Sequence, residues 1–198
     1  MNALKTGLTG RTVLLPTDDA DLYEKHLESF RSELNPVGEA ETRLVQAIAD
    51  TAWRLARIPG LEAGIYTLGF SKLASLHAEE KDEQKRKSLI QVEVFLAYEK
   101  QLRNLALQES RLRRHMEKDT AALKQLQKER QANQKQGLDK AANLLIEAIK
   151  NGQARSFDPK AIGFEFSLAE IEKKAAQLQP QMLRAYEANK PRHLRNAA

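Results

Sequence analysis

The sequence is 198 residues long, with 41% hydrophobic and 30% charged residues, a formal net charge of +5 and no cysteine. The lack of cysteine excludes disulfide scaffolds, thiolate zinc sites and cysteine nucleophiles, and it is typical of a reducing compartment. No apolar run approaches the roughly 20 residues that cross a bilayer. We therefore expect a helix-rich protein of the cytoplasm that does not enter a membrane.

Charge is distributed unevenly along the chain. Residues 17–80 hold 6 basic against 12 acidic side chains, whereas residues 81–130 hold 13 against 8 and residues 131–198 hold 11 against 7. The basic part can attract a polyanion that the whole molecule would attract less strongly. Head-to-tail self-association, acidic front on basic back, is an equally good use of this asymmetry. A solvated helical surface without a specific partner is the third interpretation.

The chain opens with a segment that has no helical period. Residues 1–16 contain two glycines, two basic residues, Lys5 and Arg11, and no acid, which predicts an extended N-terminal arm. Pro16 excludes helical geometry at the residue before it. A first helix of about 17 residues is predicted next from a single apolar stripe. The stripe consists of Leu22, Leu27, Phe30 and Leu34.

The second helix is predicted to be long and kinked. It begins after Asn35 at Pro36, since proline suits a first helical turn. Pro59-Gly60 falls inside its apolar pattern, but the period resumes at once, which indicates a kink and not a loop. Gly64 and Gly69 allow another helix to approach closely. The all-polar residues 79–88 are predicted to form a turn or an exposed helix end.

The strongest periodic pattern runs from residue 95 to residue 126. Ten positions are spaced alternately by three and four residues, and eight of them are apolar. These positions are Phe95, Tyr98, Leu102, Leu105, Glu109, Leu112, Met116, Asp119, Leu123 and Leu126. This is the pattern of a coiled-coil seam, whose partner is either the second helix, folded back as an antiparallel hairpin, or a second copy of the chain. Each seam carboxylate is expected to meet a cation or to lie at a splayed point.

Beyond the seam, the polar residues 131–136 are predicted to end the long helix, and a short amphipathic helix is predicted at 138–149. Phe157, Phe164 and Phe166 are expected to pin the following loop to a helix surface. A last apolar stripe kinks or restarts at Pro180. The predicted organisation is an extended arm (1–16), a helical hairpin domain (17–130), a small helical C-terminal region (131–189) and a basic, mobile tail (190–198).

Catalytic motifs are absent from the sequence. It has no His-Glu-x-x-His, no glycine-rich dinucleotide fingerprint and no nucleophile elbow. Asp18, Asp19 and Asp21 are explained more simply by helix capping than by Mg²⁺ binding, because Mg²⁺ ligands normally converge from separate elements. We therefore predict a protein that is not an enzyme and has no cofactor or metal. A hydrolase or nuclease acting through these three aspartates is the remaining enzymatic alternative.

Basic residues give the better indication of function. Those of the seam helix lie mainly off the seam, where a ridge of cations can neutralise successive phosphates of a duplex, and the arm can add a groove contact. The candidate nucleic-acid-binding residues are Lys5, Arg11, Arg103, Arg111, Arg113, Arg114 and Lys118. The alternative is that the helix cations pair with nearby acids, which include Glu99, Glu109, Glu117 and Asp119.

Three segments carry a resemblance to known proteins. Asn2-Ala-Leu-Lys-Thr-Gly-Leu8 and the residues that follow it to Pro16, together with Trp53 to Ala63 and Tyr98 to Arg114, resemble a group of uncharacterised bacterial helical proteins. Thr6 stands where that group usually has histidine. The opening also resembles that of some phage terminase small subunits, and this second likeness implies DNA binding and ring assembly. Neither resemblance implies any catalytic position.

Taken together, the sequence predicts an all-α protein built on a long antiparallel, coiled-coil-like helical hairpin, with an N-terminal arm and a small helical C-terminal region. The predicted function is that of a non-enzymatic helical binding or assembly protein, a homo-oligomer with duplex nucleic acid as its macromolecular partner. A protein–protein scaffold without a nucleic-acid role is the alternative.

Overall fold

The computed structural model of the protein describes residues 14–189. All regular structure in that range is helical, so the predicted all-α class is confirmed. The helices are α1 Ala20–Leu34, α2 Gly38–Ala56, α3 Ile58–Leu73, α4 Glu83–Ala97, α5 Glu99–Lys150, a 3₁₀ turn Ala154–Ser156, α6 Leu168–Leu178 and α7 Pro180–Asn189. The N-terminal arm before Leu14, with Lys5 and Arg11, and the basic tail from residue 190 lie outside the described residues.

The chain divides into two compact units, one ending at Leu126 and the other beginning at Gln127. Helix α5 supplies residues to both. Within residues 14–189, no helix is long and apolar enough to span a membrane.

Helices α1 and α2 form a tight hairpin in the first unit. Asn35 ends α1 in the left-handed conformation (φ 42°), which the short side chain of asparagine tolerates. Tyr23 and Leu27 of α1 are buried together with Ala49 of α2. The Tyr23 ring meets Trp53 edge-on, with centroids 5.4 Å apart. The predicted break between the first two helices therefore produces an antiparallel pair with an aromatic core.

The predicted second helix is interrupted at one residue. Arg57 separates α2 from α3 but keeps near-helical dihedrals (φ −80°, ψ −23°), and proline lies in the first turn of α3. The interruption is therefore a kink of the expected kind. The polar stretch 79–88 is a turn only in its first part, because Asp82 caps α4 with its side chain and residues from Glu83 onward are helical.

Helices α3 and α4 form a second hairpin whose approach depends on glycine. Gly69 of α3 is buried against Val94 of α4, and a Cβ built at Gly69 would lie 2.4 Å from Val94 Cγ1. The predicted close approach is therefore present at Gly69. At Gly64 an added Cβ would have no atom within 4 Å.

Helix α5 shows the predicted seam as a row of lower exposure. Every seam position from Tyr98 to Leu126 is buried or half-buried. Leu123 packs with Val45 and Ile48 from the middle of α2, whereas Arg54 near the end of α2 lines a groove with earlier residues of α5. The two helices thus run antiparallel, as in the intramolecular alternative. Whether this packing has coiled-coil geometry stays a prediction.

Two details of the predicted seam helix are wrong. Phe95 is 49% exposed and Val94 is buried instead, because the chain leaves the helix at Tyr98 (φ −111°, ψ 16°) and the apolar phase changes there. The helix also does not end at residues 131–136, nor is 138–149 a separate helix, since α5 continues to Lys150. Glutamine, lysine and alanine favour helix without any packing, and residues 131–136 are exposed on every face.

In the second unit, the end of α5 packs with α6 and α7. The core contains Ala142 and Leu145 of α5, Ile171 of α6 and Leu183 of α7. The three loop phenylalanines are half-buried against this cluster, as predicted. A capping box between Ser167 and Glu170 starts α6, and the chain restarts as a new helix at Pro180.

The Gly69–Val94 contact generates a paired test. Gly69→Ala should lower the free energy of unfolding by about 1–3 kcal/mol, because the new methyl group overpacks against a β-branched side chain. Gly64→Ala, on the same helix but in open space, should raise it by about 0.5–1 kcal/mol. Urea denaturation followed by circular dichroism measures both. Equal effects of the two substitutions would contradict the close packing of α3 on α4.

Candidate nucleic-acid interface

The side of α5 that faces away from the seam carries a row of cations. Positions 100, 103, 107, 111, 114 and 118 repeat at intervals of three and four residues, so they share one face of the helix. All six are exposed. Five are basic and one is a leucine, and we call this set the basic stripe: Lys100, Arg103, Leu107, Arg111, Arg114 and Lys118. At 1.5 Å per residue the stripe is about 27 Å long.

The stripe cations are weakly engaged by the rest of the protein. Arg103 lies 3.7 Å from Glu99, and both side chains are more than 60% exposed. Arg114 donates a 3.3 Å hydrogen bond to the Ser110 hydroxyl. Within residues 14–189, the side chains of Lys100, Arg111 and Lys118 make no hydrogen bond or ion pair. Exposed pairs contribute little, so the positive charge of the stripe remains available to a partner.

Arg113, which the sequence grouped with Arg111 and Arg114, lies elsewhere. Two residues apart on a helix, Arg111 and Arg113 point about 160° away from each other. Arg113 donates from Nε (3.0 Å) and Nη2 (2.6 Å) to one carboxylate oxygen of Glu109. Glu109 is the seam carboxylate that was expected to meet a cation, and it does so within its own helix. The dense sequence cluster is therefore divided between two sides of α5.

A groove adjoins the stripe where α2 lies against α5. Its polar lining is Arg54 from the last turn of α2, with Asn104, Gln108, Arg111 and His115 from α5, and its volume is about 480 Å³. No carboxylate lines it. Sequence reasoning missed Arg54, Asn104 and Gln108, because only the antiparallel packing brings residue 54 beside residues 104–115.

Two of the three N-terminal aspartates, Asp18 and Asp19, are occupied by structural contacts. Asp19 caps α1 by accepting from the backbone N–H groups of Asp21 and Leu22. Asp18 accepts from the Leu15 N–H (2.8 Å), from Trp53 Nε1 (3.3 Å) and from Arg57. The capping explanation is therefore confirmed for Asp19. Across residues 14–189, no group of three or more acidic or histidine side chains is arranged to hold a metal.

The histidines of the first unit are likewise spread among separate environments. His26 Nε2 lies 3.0 Å from the carbonyl oxygen of Ala49, and its ring lies near Phe30 and Trp53. His77 lies 3.6 Å from Glu93. Only His115 adjoins the basic stripe.

Comparison with protein-family models, with curated proteins and with solved structures gave no match to this chain. The resemblances of its opening to bacterial helical proteins and to terminase small subunits stay predictions.

The environment of Asp18 generates a pH prediction. The Leu15 N–H, followed by Trp53 and Arg57, holds the pKa of the Asp18 carboxyl below its ordinary value of 3.8. The unfolded chain therefore binds a proton at Asp18 more readily than the folded protein does. The contribution of the Asp18 carboxylate to stability is complete when the pH lies above 3.8, and it declines as the pH falls through the lower pKa of the folded state. Asp18→Asn should therefore lower the melting temperature at pH 7, and the deficit should narrow as the pH falls toward 3.

The matched control for Asp18 is Asp21→Asn, three residues later in the first turn of α1 and exposed. Its effect on the melting temperature at pH 7 should be the smaller of the two. A deficit for Asp18→Asn that stays constant from pH 7 to pH 3 would contradict the contacts described for this carboxylate.

Proposed function

We propose that the protein is a non-enzymatic helical binding protein that holds duplex nucleic acid along the basic stripe of α5. The observation that carries this proposal is the row of exposed cations on one face of a continuous helix, with no acid among its positions. Such a surface binds phosphates without regard to base sequence, and each phosphate neutralised releases counterions.

Several cations of the first unit outside the stripe are held in ion pairs and are less available to a partner. Arg31 pairs with Glu28, and Arg43 with Glu39, within their own helices. Further ion pairs join Arg57 to Asp18, Lys85 to Glu80 and Lys87 to Glu83. These five cations are thus neutralised by carboxylates. Among the described residues, Lys100, Arg111 and Lys118 of the stripe have no such carboxylate, and neither do Lys25, Arg54 and Lys72 of α1 to α3.

The dimensions and chemistry of the stripe favour a duplex over a single strand. A length of about 27 Å matches roughly eight base pairs of duplex axis at 3.4 Å per step. Single-strand binding usually adds aromatic side chains on which bases stack, and the stripe contains none. The arm cations Lys5 and Arg11 belong to the same proposal, as a flexible contact to an adjacent groove.

A protein–protein scaffold or homo-oligomer is the second candidate. It is favoured by the side of α4 that faces away from α3, where Val92, Phe95 and Leu96 are 56%, 49% and 62% exposed. A contiguous apolar patch of this kind is typical of an interaction surface. The absence of cysteine is typical of a reducing compartment and supports a cytoplasmic location for either function.

Duplex binding tests the first candidate. Replacing Arg111, Arg114 and Lys118 together by alanine should weaken binding of a 20-base-pair duplex and reduce the slope of log affinity against log salt by about three. Arg113→Ala, on the other side of the same helix, should leave affinity nearly unchanged. Fluorescence anisotropy at two salt concentrations measures both variants.

Two results would reject the duplex proposal. One is the absence of saturable binding by the wild-type protein at low salt. The other is an equal loss for Arg113→Ala and for the stripe variant, since that would trace binding to net charge and not to the stripe. Light scattering at several concentrations, with and without the duplex, then tells whether self-association accompanies binding or replaces it.

A further inference from the structure

The groove between α2 and α5 has a chemistry that the duplex-binding stripe does not explain. Its five polar side chains come from two helices, and within residues 14–189 none of them has a hydrogen-bond or ion-pair partner. They are two guanidinium groups, two primary amides and one imidazole: Arg54, Arg111, Asn104, Gln108 and His115. Donors that converge on one depression and meet no protein acceptor are available to a ligand.

We propose that this groove binds a nucleoside monophosphate unit. Arg54 and Arg111 hold the phosphate, since guanidinium groups match the planar, bidentate geometry of phosphate oxygens. His115 lines the same groove, and its imidazole can donate a further hydrogen bond to the phosphate. Because no carboxylate lines the groove, a bound anion meets no like charge there.

The remaining lining suits a base and not only a phosphate. Asn104 and Gln108 lie one helical turn apart on α5, and each amide offers both a donor and an acceptor for the edge of a base. Leu107 and Leu112 add apolar surface for its face. The groove volume of about 480 Å³ falls in the range of small-molecule sites and exceeds what a lone phosphate fills.

The proposed site shares Leu107 and Arg111 with the basic stripe but does not require the stripe to bind duplex. The same chemistry is offered by a free nucleotide and by the phosphorylated 5′ end of a strand. A terminal nucleotide seated in the groove would place the end of a duplex at the middle of the stripe, whereas a free nucleotide would bind independently of it.

Titration with adenosine 5′-monophosphate tests the inference, with adenosine and inorganic phosphate as partial ligands. We expect saturable binding of the nucleotide and at least about tenfold weaker binding after Arg54→Ala, which removes a charge-assisted contact. Gln108→Ala should weaken the binding of the nucleotide but not the binding of inorganic phosphate. Arg43→Ala, an exposed arginine of α2 that pairs with Glu39 outside the groove, should change neither.

Failure of this inference is distinguishable from failure of the duplex proposal. Lys118 lies on the stripe and does not line the groove. Lys118→Ala should therefore weaken duplex binding without affecting nucleotide binding. No saturation by the nucleotide, or equal affinity for inorganic phosphate, would overturn the nucleotide site even if duplex binding is strong. A duplex with 5′-phosphates that binds more tightly than its 5′-hydroxyl form, with the difference lost in Arg54→Ala, assigns the site to strand ends. If the 5′-phosphate and 5′-hydroxyl duplexes bind with equal affinity while the nucleotide still binds, the site is assigned to free nucleotides.

Discussion

Burial of one side of α5 against α2 is the constraint on which the candidate interface depends. Leu123 is 1% exposed and packs with Val45 and Ile48, so the rotation of α5 about its own axis is set by its apolar row. The opposite side must then face water. Because side chains at intervals of three and four residues share a face, the five cations of the basic stripe are displayed together as a consequence of packing elsewhere on the same helix.

The same packing explains why charge is used differently along the first unit. On α1, α2 and α4, three cations each pair with an acid one turn earlier on the same helix; these are Arg31, Arg43 and Lys87. On α5, Glu109 is half-buried on the seam side, and Arg113 donates hydrogen bonds to its carboxylate. Among the remaining described cations between Lys100 and Lys118, Arg103 alone lies within ion-pair distance of an acid, the exposed Glu99 at 3.7 Å. The excess of basic residues in this part of the sequence thus forms a localised basic surface only because packing of the seam fixes which side of α5 is exposed.

Periodicity predicted much of this fold, and tertiary contacts supplied the rest. The seam from Tyr98 to Leu126 and the close approach at Gly69 follow from spacing and residue size, which act locally. The interruption at Tyr98 and the continuation of α5 through residues 131–136 were not predicted, because polar composition signals the end of packing and not the end of a helix. Arg54 and Arg111 line one groove although more than 50 residues of sequence separate them. Their proximity depends on the register of the antiparallel helices, which local sequence patterns do not encode.

Thiol labelling tests the orientation of α5 most directly, since the protein has no cysteine of its own. A single cysteine at Leu107, in the middle of the stripe, should react quickly in the free protein and be protected when a duplex is added at low salt. A single cysteine at Leu123 should react slowly in both states. Rapid labelling at Leu123 in the free protein, or unprotected labelling at Leu107 while duplex is bound, would contradict the account.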